Sequence, residues 1–139
     1  MEIVVLVGVP GSDKTTFAKT RFPHHKRINL DTLHTRSREF NEMYKNLENG
    51  RDMIIDNTNT TRKTRSRYIE IAKLFGIPIY AIYLDCPLDL ALKRNSSRAG
   101  KERVPDRAVR FYYKIIEPPT KEEGFDSVEK ILVSENEAT

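Results

Sequence analysis

The 139-residue sequence is poor in cysteine and contains no tryptophan. Its single cysteine, Cys86, cannot form a disulfide within the chain, and it follows a strand-like apolar run. A lone cysteine of this kind fits a reducing compartment. We therefore expect a cytoplasmic, intracellular protein in which Cys86 is a buried, inert thiol rather than a nucleophile.

The sequence also lacks a long hydrophobic run. No apolar segment approaches the roughly 20 residues that span a bilayer. The apolar run over residues 3–7 is too short and too early for a secretory signal, and no small-residue cleavage site follows it. We expect no membrane partner. Hydrophobic residues make up 38% and charged residues 32% of the chain, so we expect residues 1–139 to form a single globular domain.

The net charge is only +4, but it is unevenly distributed. Residues 62–110 hold 12 Lys and Arg against 5 Asp and Glu, whereas residues 111–139 hold 3 against 7. A basic central third suggests an anionic partner such as nucleic acid or polyphosphate. Taken alone, the charge favours the simpler interpretation of solvated helix faces.

Strand and helix signals alternate along the chain. Apolar runs predict strands over residues 3–7, 27–31, 52–56, 78–85 and 127–133. Capping residues and prolines predict helices that begin within residues 12–16, at Thr32 or Thr35, at Thr60 or Thr61, at Pro87 and at Pro105. We expect a polar, basic loop over residues 95–104 and a frayed tail over residues 134–139. The pattern predicts an α/β domain with a parallel, doubly wound sheet.

The segment Gly-Val-Pro-Gly-Ser-Asp-Lys-Thr, which starts at Gly8, predicts a phosphate-binding loop. It follows a buried strand and opens a helix, which is the context that this motif needs. Backbone N–H groups and the helix N-terminus would bind phosphate, Lys14 would reach the β- and γ-phosphates, and the Thr15 hydroxyl would ligate Mg²⁺. We expect ATP or another nucleoside triphosphate to contact Gly8, Gly11, Ser12, Asp13, Lys14, Thr15 and Thr16. The alternative, a tight turn with an exposed lysine, is disfavoured by the register of all four motif residues.

Asp13 departs from the phosphate-loop pattern, because a glycine normally precedes the lysine. Glycine lets the backbone approach the phosphates with no side chain in the way. A carboxylate there adds bulk and a repulsion on the order of 1–4 kcal/mol per charge pair. We expect weakened nucleotide binding. The sequence leaves open whether Asp13 is a tolerated variant, a sign of degeneration or an introduced substitution.

Carboxylates follow the second and third predicted strands, where the ligand crevice of a parallel sheet lies. Asp31 there suits a general base that accepts the proton of an attacking hydroxyl, and it suits an ordinary N-cap equally well. Asp56, Asn57, Thr58 and Asn59 suit substrate hydrogen bonding or water-mediated contact with Mg²⁺, or form a capping turn.

A basic stretch follows the fourth predicted strand, and it contains Lys93, Arg94, Arg98, Lys101 and Arg103. Arg94 and Arg98 are four residues apart, a spacing that could place them on one face. Arginines on a loop above the phosphates stabilise charge on a transferred phosphoryl group. A solvated basic loop is the alternative, and the neighbouring phosphate loop favours the functional interpretation by about two to one.

Together these segments resemble polynucleotide 5′-hydroxyl kinases, both the bacteriophage type and the kinase domain of animal end-healing enzymes. The resemblance rests on GVPGSDKTTFA, INLDTL, MIIDNTNTTRKTRSRYI, LKRNSSRAG and VPDRAVRFYYKIIEPPTKEEGFDSV, which span nearly the whole chain in order. The phosphate loop is shared by a vast superfamily. The IDNTN, KRNSSR and EPPTKEEGFDSV segments are more specific, although related small kinases share parts of them.

The resemblance implies a P-loop kinase fold with strand order 2-3-1-4-5 and transfer of the ATP γ-phosphate to a 5′-hydroxyl end of DNA or RNA. It implies that Lys14 and Thr15 hold the phosphates and Mg²⁺ and that Asp31 is the general base. Arg98, with Arg94, would be the arginine pair of the lid. The acceptor side would contain Asp31, His34, Asp56, Thr58 and Asn59.

Two departures besides Asp13 concern the acceptor. Leu30 stands where these kinases commonly have an arginine, and His34 stands where the phage enzymes have another. Both weaken the assignment of a DNA strand as acceptor. A P-loop kinase acting on a small molecule or a tRNA-linked group, and a non-catalytic nucleic-acid-binding relative, therefore remain alternatives. We expect no phosphatase domain within 139 residues.

Overall fold

The computed structural model describes residues 1–100 and 103–135. Lys101, which the sequence places in the basic stretch, lies outside the described residues, as does most of the tail predicted to be frayed. In the part that the structure describes, no helix is both long and apolar enough to cross a membrane.

The centre of the molecule is a five-stranded sheet in which all neighbouring strands are parallel. Its strands are β1 Ile3–Val7, β2 Lys26–Ile28, β3 Met53–Ile55, β4 Ile79–Asp85 and β5 Ser127–Leu132. Their spatial order is β2-β3-β1-β4-β5, which confirms the predicted order. Beside β1 the order in which successive strands are added to the sheet reverses, and α/β sheets bind ligands in the crevice that forms at such a point.

Helices connect the strands and cover the sheet. They are α1 Lys14–Arg21, α2 Leu30–Leu33, α3 Arg36–Glu48, α4 Arg62–Phe75, α5 Leu88–Ser96 and α6 Asp106–Ile115, and a 3-10 turn follows at Lys121–Glu123. Thr35 and Thr61 cap α3 and α4 by accepting backbone N–H bonds. Gly76 ends α4 in the left-handed conformation, with φ 65°.

The core lies on both faces of the sheet. Every residue of β1 is buried, with Ile3, Val5 and Val7 on one side and Val4 and Leu6 on the other. A central parallel strand covered on both faces is apolar throughout, which is why this short run was recognisable in the sequence. Cys86 is buried in a third cluster with Val9, as expected, and burial raises the pKa of its thiol.

A buried ion pair fastens the C-terminal segment to α4. Arg65 and Glu123 have side chains that are 0% and 3% exposed, and Arg65 Nε donates to Glu123 at 2.8 Å. The same guanidinium donates to the backbone carbonyls of Asn59 and Glu117, each at 2.9 Å. Since each of the three guanidinium nitrogens has a partner, and Nη1 holds two backbone carbonyls, the pair fixes the loop after β3.

One expectation about element ends was wrong. The second strand ends at Ile28 rather than reaching residue 31, because Asn29 caps a short helix immediately after it. At the end of α4, Phe75 lies outside the core that contains Ile69 and Ala72. It is 46% exposed and packs edge-to-face against Tyr44 on the surface.

Candidate functional site

A cleft of about 440 Å³ lies at the carboxyl ends of β1, β2 and β3. It collects side chains from each motif that the sequence analysis singled out, and among them are Lys14, Thr15, Asp31, Asp56, Asn57, Thr58, Asn59 and Arg98. These residues come from four separate segments of the chain. Phosphate-loop, carboxylate and lid residues therefore face one common space.

The loop between β1 and α1 has the backbone of a phosphate-binding nest. Gly11 has φ 87°, and a Cβ added there would collide with the Ala91 carbonyl oxygen of α5. A Cβ added at Gly8 would lie 2.6 Å from Ser12 Oγ. Gly11 is thus required by space and by conformation, because the atom in the way belongs to the backbone, whereas at Gly8 the neighbouring Ser12 hydroxyl could rotate away.

Asp13 is the N-cap of α1 and lies in the left-handed region, with φ 70° and ψ 32°. Its side chain makes no capping hydrogen bond. Side-chain bulk is therefore only one reason why glycine suits this position. The left-handed backbone is a second, and Asp adopts it at some energetic cost.

Lys14 lies against the loop that it would serve. Its ammonium group donates to the Val9 carbonyl at 2.9 Å and to Ser12 Oγ at 3.4 Å. Its pKa is lowered to about 8, chiefly by burial and in part by Arg98, while the carboxylates of Asp56 and Asp31 oppose the shift. The pKa of Lys14 therefore depends on the charges of both carboxylates and of Arg98.

The carboxylate of Asp56, which the resemblance assigned to the acceptor side, lies against Thr15 of the phosphate loop. Thr15 Oγ1 donates to Asp56 Oδ2 at 3.0 Å. Arg27 of β2, which the sequence analysis missed, donates through Nε to the same oxygen at 2.6 Å and through Nη2 to Thr15 Oγ1 at 3.2 Å. The three side chains form one polar cluster at the start of α1.

The hydroxyl of Thr15 and the carboxylate of Asp56 are the oxygen ligands that Mg²⁺ prefers. No group of three or more His, Cys, Asp or Glu able to hold a metal occurs in residues 1–100 and 103–135. Mg²⁺ commonly uses one or two protein ligands together with water and substrate phosphates. The donor set fits a nucleotide-bound Mg²⁺, with Arg27 competing for the Asp56 oxygen.

Asp31 lies in the first turn of α2 and is exposed at the cleft. It is not the N-cap, because Asn29 caps the helix by accepting from the Thr32 N–H. The amide of Asn29 also donates to the Asp56 carbonyl at 2.6 Å, and Asn57 Oδ1 accepts from the Leu30 N–H at 2.9 Å. The end of β3 thus positions the turn that presents Asp31.

A buried network supports Asn57 from behind. Its amide nitrogen donates to Glu39 Oε2 at 2.9 Å, and Tyr68 Oη donates to Glu39 Oε1 at 3.0 Å. Burial, reinforced by the Glu39 carboxylate, raises the pKa of Tyr68 to about 12. Arg36 completes the network by donating to Glu39 and Tyr68, and it also lines the cleft.

Thr58 and Asn59 join the phosphate loop to the sheet. The Gly8 N–H donates to the Thr58 carbonyl at 3.0 Å, and the Asn59 amide donates to the Leu6 carbonyl at 2.8 Å. Asn59 is 1% exposed and has φ 46°. Its amide nitrogen is thus used to hold β1, although the residue borders the cleft.

Three predicted site residues beyond the loop of residues 8–13 do not line the cleft. His34 is the exposed C-cap of α2, and Thr16 is exposed on α1. Arg94 donates to the Ser134 carbonyl at 3.1 Å, beyond the end of β5. Of the two arginines assigned to the lid, the structure brings only Arg98 to Lys14 and Asp31.

The fold is that of the P-loop kinases. The structure of Chaetomium thermophilum Kti12 in complex with ADP-AlF3 superposes with a TM-score of 0.69 at 18% identity, covering 98% of this chain and 92% of that one. The structure of an unliganded sugar kinase from Janibacter sp. HTCC2649 also superposes with a TM-score of 0.69, at 20% identity, covering 96% of this chain and 84% of that one. These likenesses establish the class by its fold.

The family model described as an AAA domain matches residues 36–119, and the chain belongs to that family. A bifunctional polynucleotide phosphatase/kinase of Schizosaccharomyces pombe is 36% identical over 135 residues, which is 94% of this chain and 33% of the relative. A protein of Acanthamoeba polyphaga mimivirus, provisionally given the same name, is 32% identical over 138 residues, with the same coverage. The resemblance to the polynucleotide kinases is thereby confirmed.

A further relative carries a different name. The L-seryl-tRNA(Sec) kinase of Methanococcus maripaludis is 28% identical over 144 residues, which is 89% of this chain and 56% of the relative. The chain spans about a third of the length of the two phosphatase/kinase relatives. Kinases whose names point to different acceptors are thus similar in sequence to this chain. The comparisons therefore support a phosphotransferase without specifying what it phosphorylates.

Proposed function

We propose that residues 1–139 act as a single P-loop kinase domain that transfers the γ-phosphoryl group of ATP to a polynucleotide 5′-hydroxyl. One observation carries the proposal: Lys14, Asp31 and Arg98 line the same cleft. Donor binding, proton acceptance and charge stabilisation, the three requirements of phosphoryl transfer, each have a side chain there. The polynucleotide kinase relatives support the choice of acceptor.

The reaction follows from these positions. Asp31 accepts the proton of the acceptor hydroxyl, whose oxygen forms a bond to the γ-phosphorus. The bond from that phosphorus to the bridging oxygen breaks, and ADP leaves. Lys14 and Arg98 stabilise the negative charge on the transferred group. Thr15 and Asp56 would hold Mg²⁺, which would supply positive charge to neutralise the phosphates.

An acceptor assay tests the proposal. The protein and its Asp13→Gly variant are incubated side by side with γ-labelled ATP, Mg²⁺ and a 5′-hydroxyl oligonucleotide, and a 5′-phosphorylated oligonucleotide serves as the matched control acceptor. We expect label to be transferred only to the 5′-hydroxyl oligonucleotide, and Asp13→Gly to increase the amount. If neither protein labels it, the proposal of polynucleotide kinase activity is refuted.

A kinase for a tRNA-linked group is the second candidate, and the seryl-tRNA kinase relative favours it. The non-arginine residues Leu30 and His34 favour it too. Seryl-tRNA and free nucleosides in the same assay separate the two candidates, since each predicts a preference of its own. If calorimetry detects no ATP binding to either protein while an oligonucleotide still binds, the domain is a non-catalytic nucleic-acid-binding relative.

A further inference from the structure

Helix α6 has two faces with opposite character. On one side Val109 is fully buried, in a cluster that contains Val9 and Cys86 of the phosphate-loop region. Tyr112 packs against that cluster and lines the cleft, and Ile115 lines it too. The helix is therefore held against the body of the domain and forms one wall of the cleft.

The opposite face of α6 is basic and carries an exposed aromatic ring. Arg107, Arg110, Phe111 and Lys114 follow the spacing i, i+3, i+4, i+7, which places them along one side of a helix. All four are exposed, and Phe111 is 56% exposed. We call this face the α6 stripe. It extends about 10 Å along the helix axis.

The cations of the α6 stripe are not used inside the domain. Among the residues that the structure describes, ion pairs engage Arg21, Arg27, Arg65 and several lysines, but none includes Arg107, Arg110 or Lys114. The one acidic residue of α6 is Asp106, in its first turn. The stripe therefore presents three positive charges to solvent beside an aromatic face.

The α6 stripe is continuous with the cleft. Ile115 lines the cleft and lies one turn after Phe111 on the helix surface, so the Phe111 edge of the stripe adjoins the cleft wall, although Phe111 itself does not line the cleft. A chain whose end lies at Asp31 can therefore leave the cleft past Ile115 and run over the stripe. Cations that contact a backbone of phosphates, combined with a ring on which a base stacks, are the usual means of binding single-stranded nucleic acid.

We propose that the α6 stripe binds the single-stranded nucleic acid that continues from the accepting 5′ end. The inference rests on the proposed polynucleotide kinase and deepens it, because it names a surface that distinguishes a polymer from a nucleoside. A merely solvated face explains the charges, and Phe111 also packs edge-to-face against Tyr112, with ring centroids 5.6 Å apart. A solvated face does not explain why the charged face adjoins the wall of the cleft.

Length-dependent binding tests the stripe. Fluorescence anisotropy is measured with a 5′-hydroxyl dinucleotide and with longer single-stranded oligonucleotides for the intact protein and for Arg110→Ala/Lys114→Ala. The variant is expected to bind the longer strands about tenfold more weakly, with unchanged binding of the dinucleotide and of ATP. The slope of log affinity against log salt should fall by about 1.4, or about 0.7 for each phosphate that the variant no longer neutralises.

Two further variants make the test specific. Lys45→Ala/Arg51→Ala removes the same charge from exposed positions outside the cleft and should leave affinity and salt slope unchanged. Phe111→Ala should weaken binding of the longer strands about tenfold with no change in salt slope, because stacking releases no counterions. The proposal is overturned if the stripe variant and the charge control lose the same affinity for the longer strands. It is also overturned if the stripe variant loses the same affinity for the dinucleotide as for the longer strands.

Failure of the stripe is distinguishable from failure of the proposed function. If the intact protein phosphorylates oligonucleotides with a KM that depends neither on their length nor on the stripe, the stripe is refuted and the kinase stands. If it binds long strands through the stripe but transfers no phosphate, the kinase is refuted and the stripe stands. Absence of any oligonucleotide binding overturns both.

Discussion

Arg27 Nε donates to Asp56 Oδ2 at 2.6 Å, and this pair joins β2 to the end of β3 beneath the phosphate loop. The Asp56 side chain is 2% exposed, whereas that of Arg27 is 31% exposed. Thr15 contacts both partners. The carboxylate expected to assist Mg²⁺ is thus already neutralised by a cation of the protein itself.

Removal of Arg27 leaves a buried carboxylate with the Thr15 hydroxyl as its remaining side-chain donor. We expect Arg27→Ala to lower the free energy of unfolding by about 3 kcal/mol, which urea denaturation measures. Arg21→Ala is the control, because its pair with Glu129 is solvent-exposed and should cost about 1 kcal/mol or less. If both variants lose an equally small amount of unfolding free energy, the Arg27–Asp56 pair stabilises the fold no more than an exposed ion pair does.

Asp13→Gly should strengthen nucleotide binding. It removes a carboxylate from the phosphate site and relieves a left-handed non-glycine residue. We expect about a tenfold lower Kd for ATP by calorimetry, equivalent to about 1.4 kcal/mol. Asp13→Asn keeps the bulk of the side chain and removes its charge. If it lowers the Kd as much as Asp13→Gly does, charge repulsion accounts for the weakened binding. A Kd unchanged in both variants would show that the loop tolerates the carboxylate.

The lowered pKa of Lys14, about 8, predicts a pH dependence of nucleotide binding. Phosphates favour the protonated lysine and so raise its pKa in the complex. Affinity is therefore full below pH 8 and falls as the pH rises through 8, where binding must take up a proton. Calorimetry in buffers of different ionisation enthalpy detects that uptake. Lys14→Arg stays charged and should lose the dependence, and persistence of the dependence in this variant would assign it elsewhere.

Arg98 should act on turnover more than on affinity. Its guanidinium borders the cleft near Lys14, where negative charge develops during transfer. Arg98→Ala is expected to lower kcat about a hundredfold with little change in the KM for ATP. Arg103→Ala, in the same loop and exposed, is the matched control. A change confined to KM would assign Arg98 to nucleotide binding alone.

The sheet and the phosphate loop were predictable because their signals are local. An apolar run such as Ile3–Val7 identifies a buried strand, and Gly8, Gly11 and Lys14 lie within one short loop. Capping chemistry likewise predicted that a helix begins at Thr60 or Thr61, and Thr61 is the N-cap of α4. Each of these features is determined by a few consecutive residues.

The polar network was not predictable, because it depends on contacts between distant segments. Arg27 reaches Asp56 only because β2 pairs with β3, and Glu39 is buried on a helix whose neighbouring residues are mostly polar. The side-chain directions of His34 and Arg94 were also beyond the sequence, since a matching motif position does not fix where a long side chain lies.

The role of Asp31 is the central claim, and one paired measurement tests it most directly. Transfer to a 5′-hydroxyl oligonucleotide and ATP affinity are measured together for Asp31→Asn and for the control Asp89→Asn, an exposed aspartate in the first turn of α5, both in the Asp13→Gly background. The general-base role predicts that Asp31→Asn loses about a thousandfold in turnover with unchanged ATP affinity, while the control keeps both. Turnover that survives Asp31→Asn, or ATP binding lost together with it, would contradict the account.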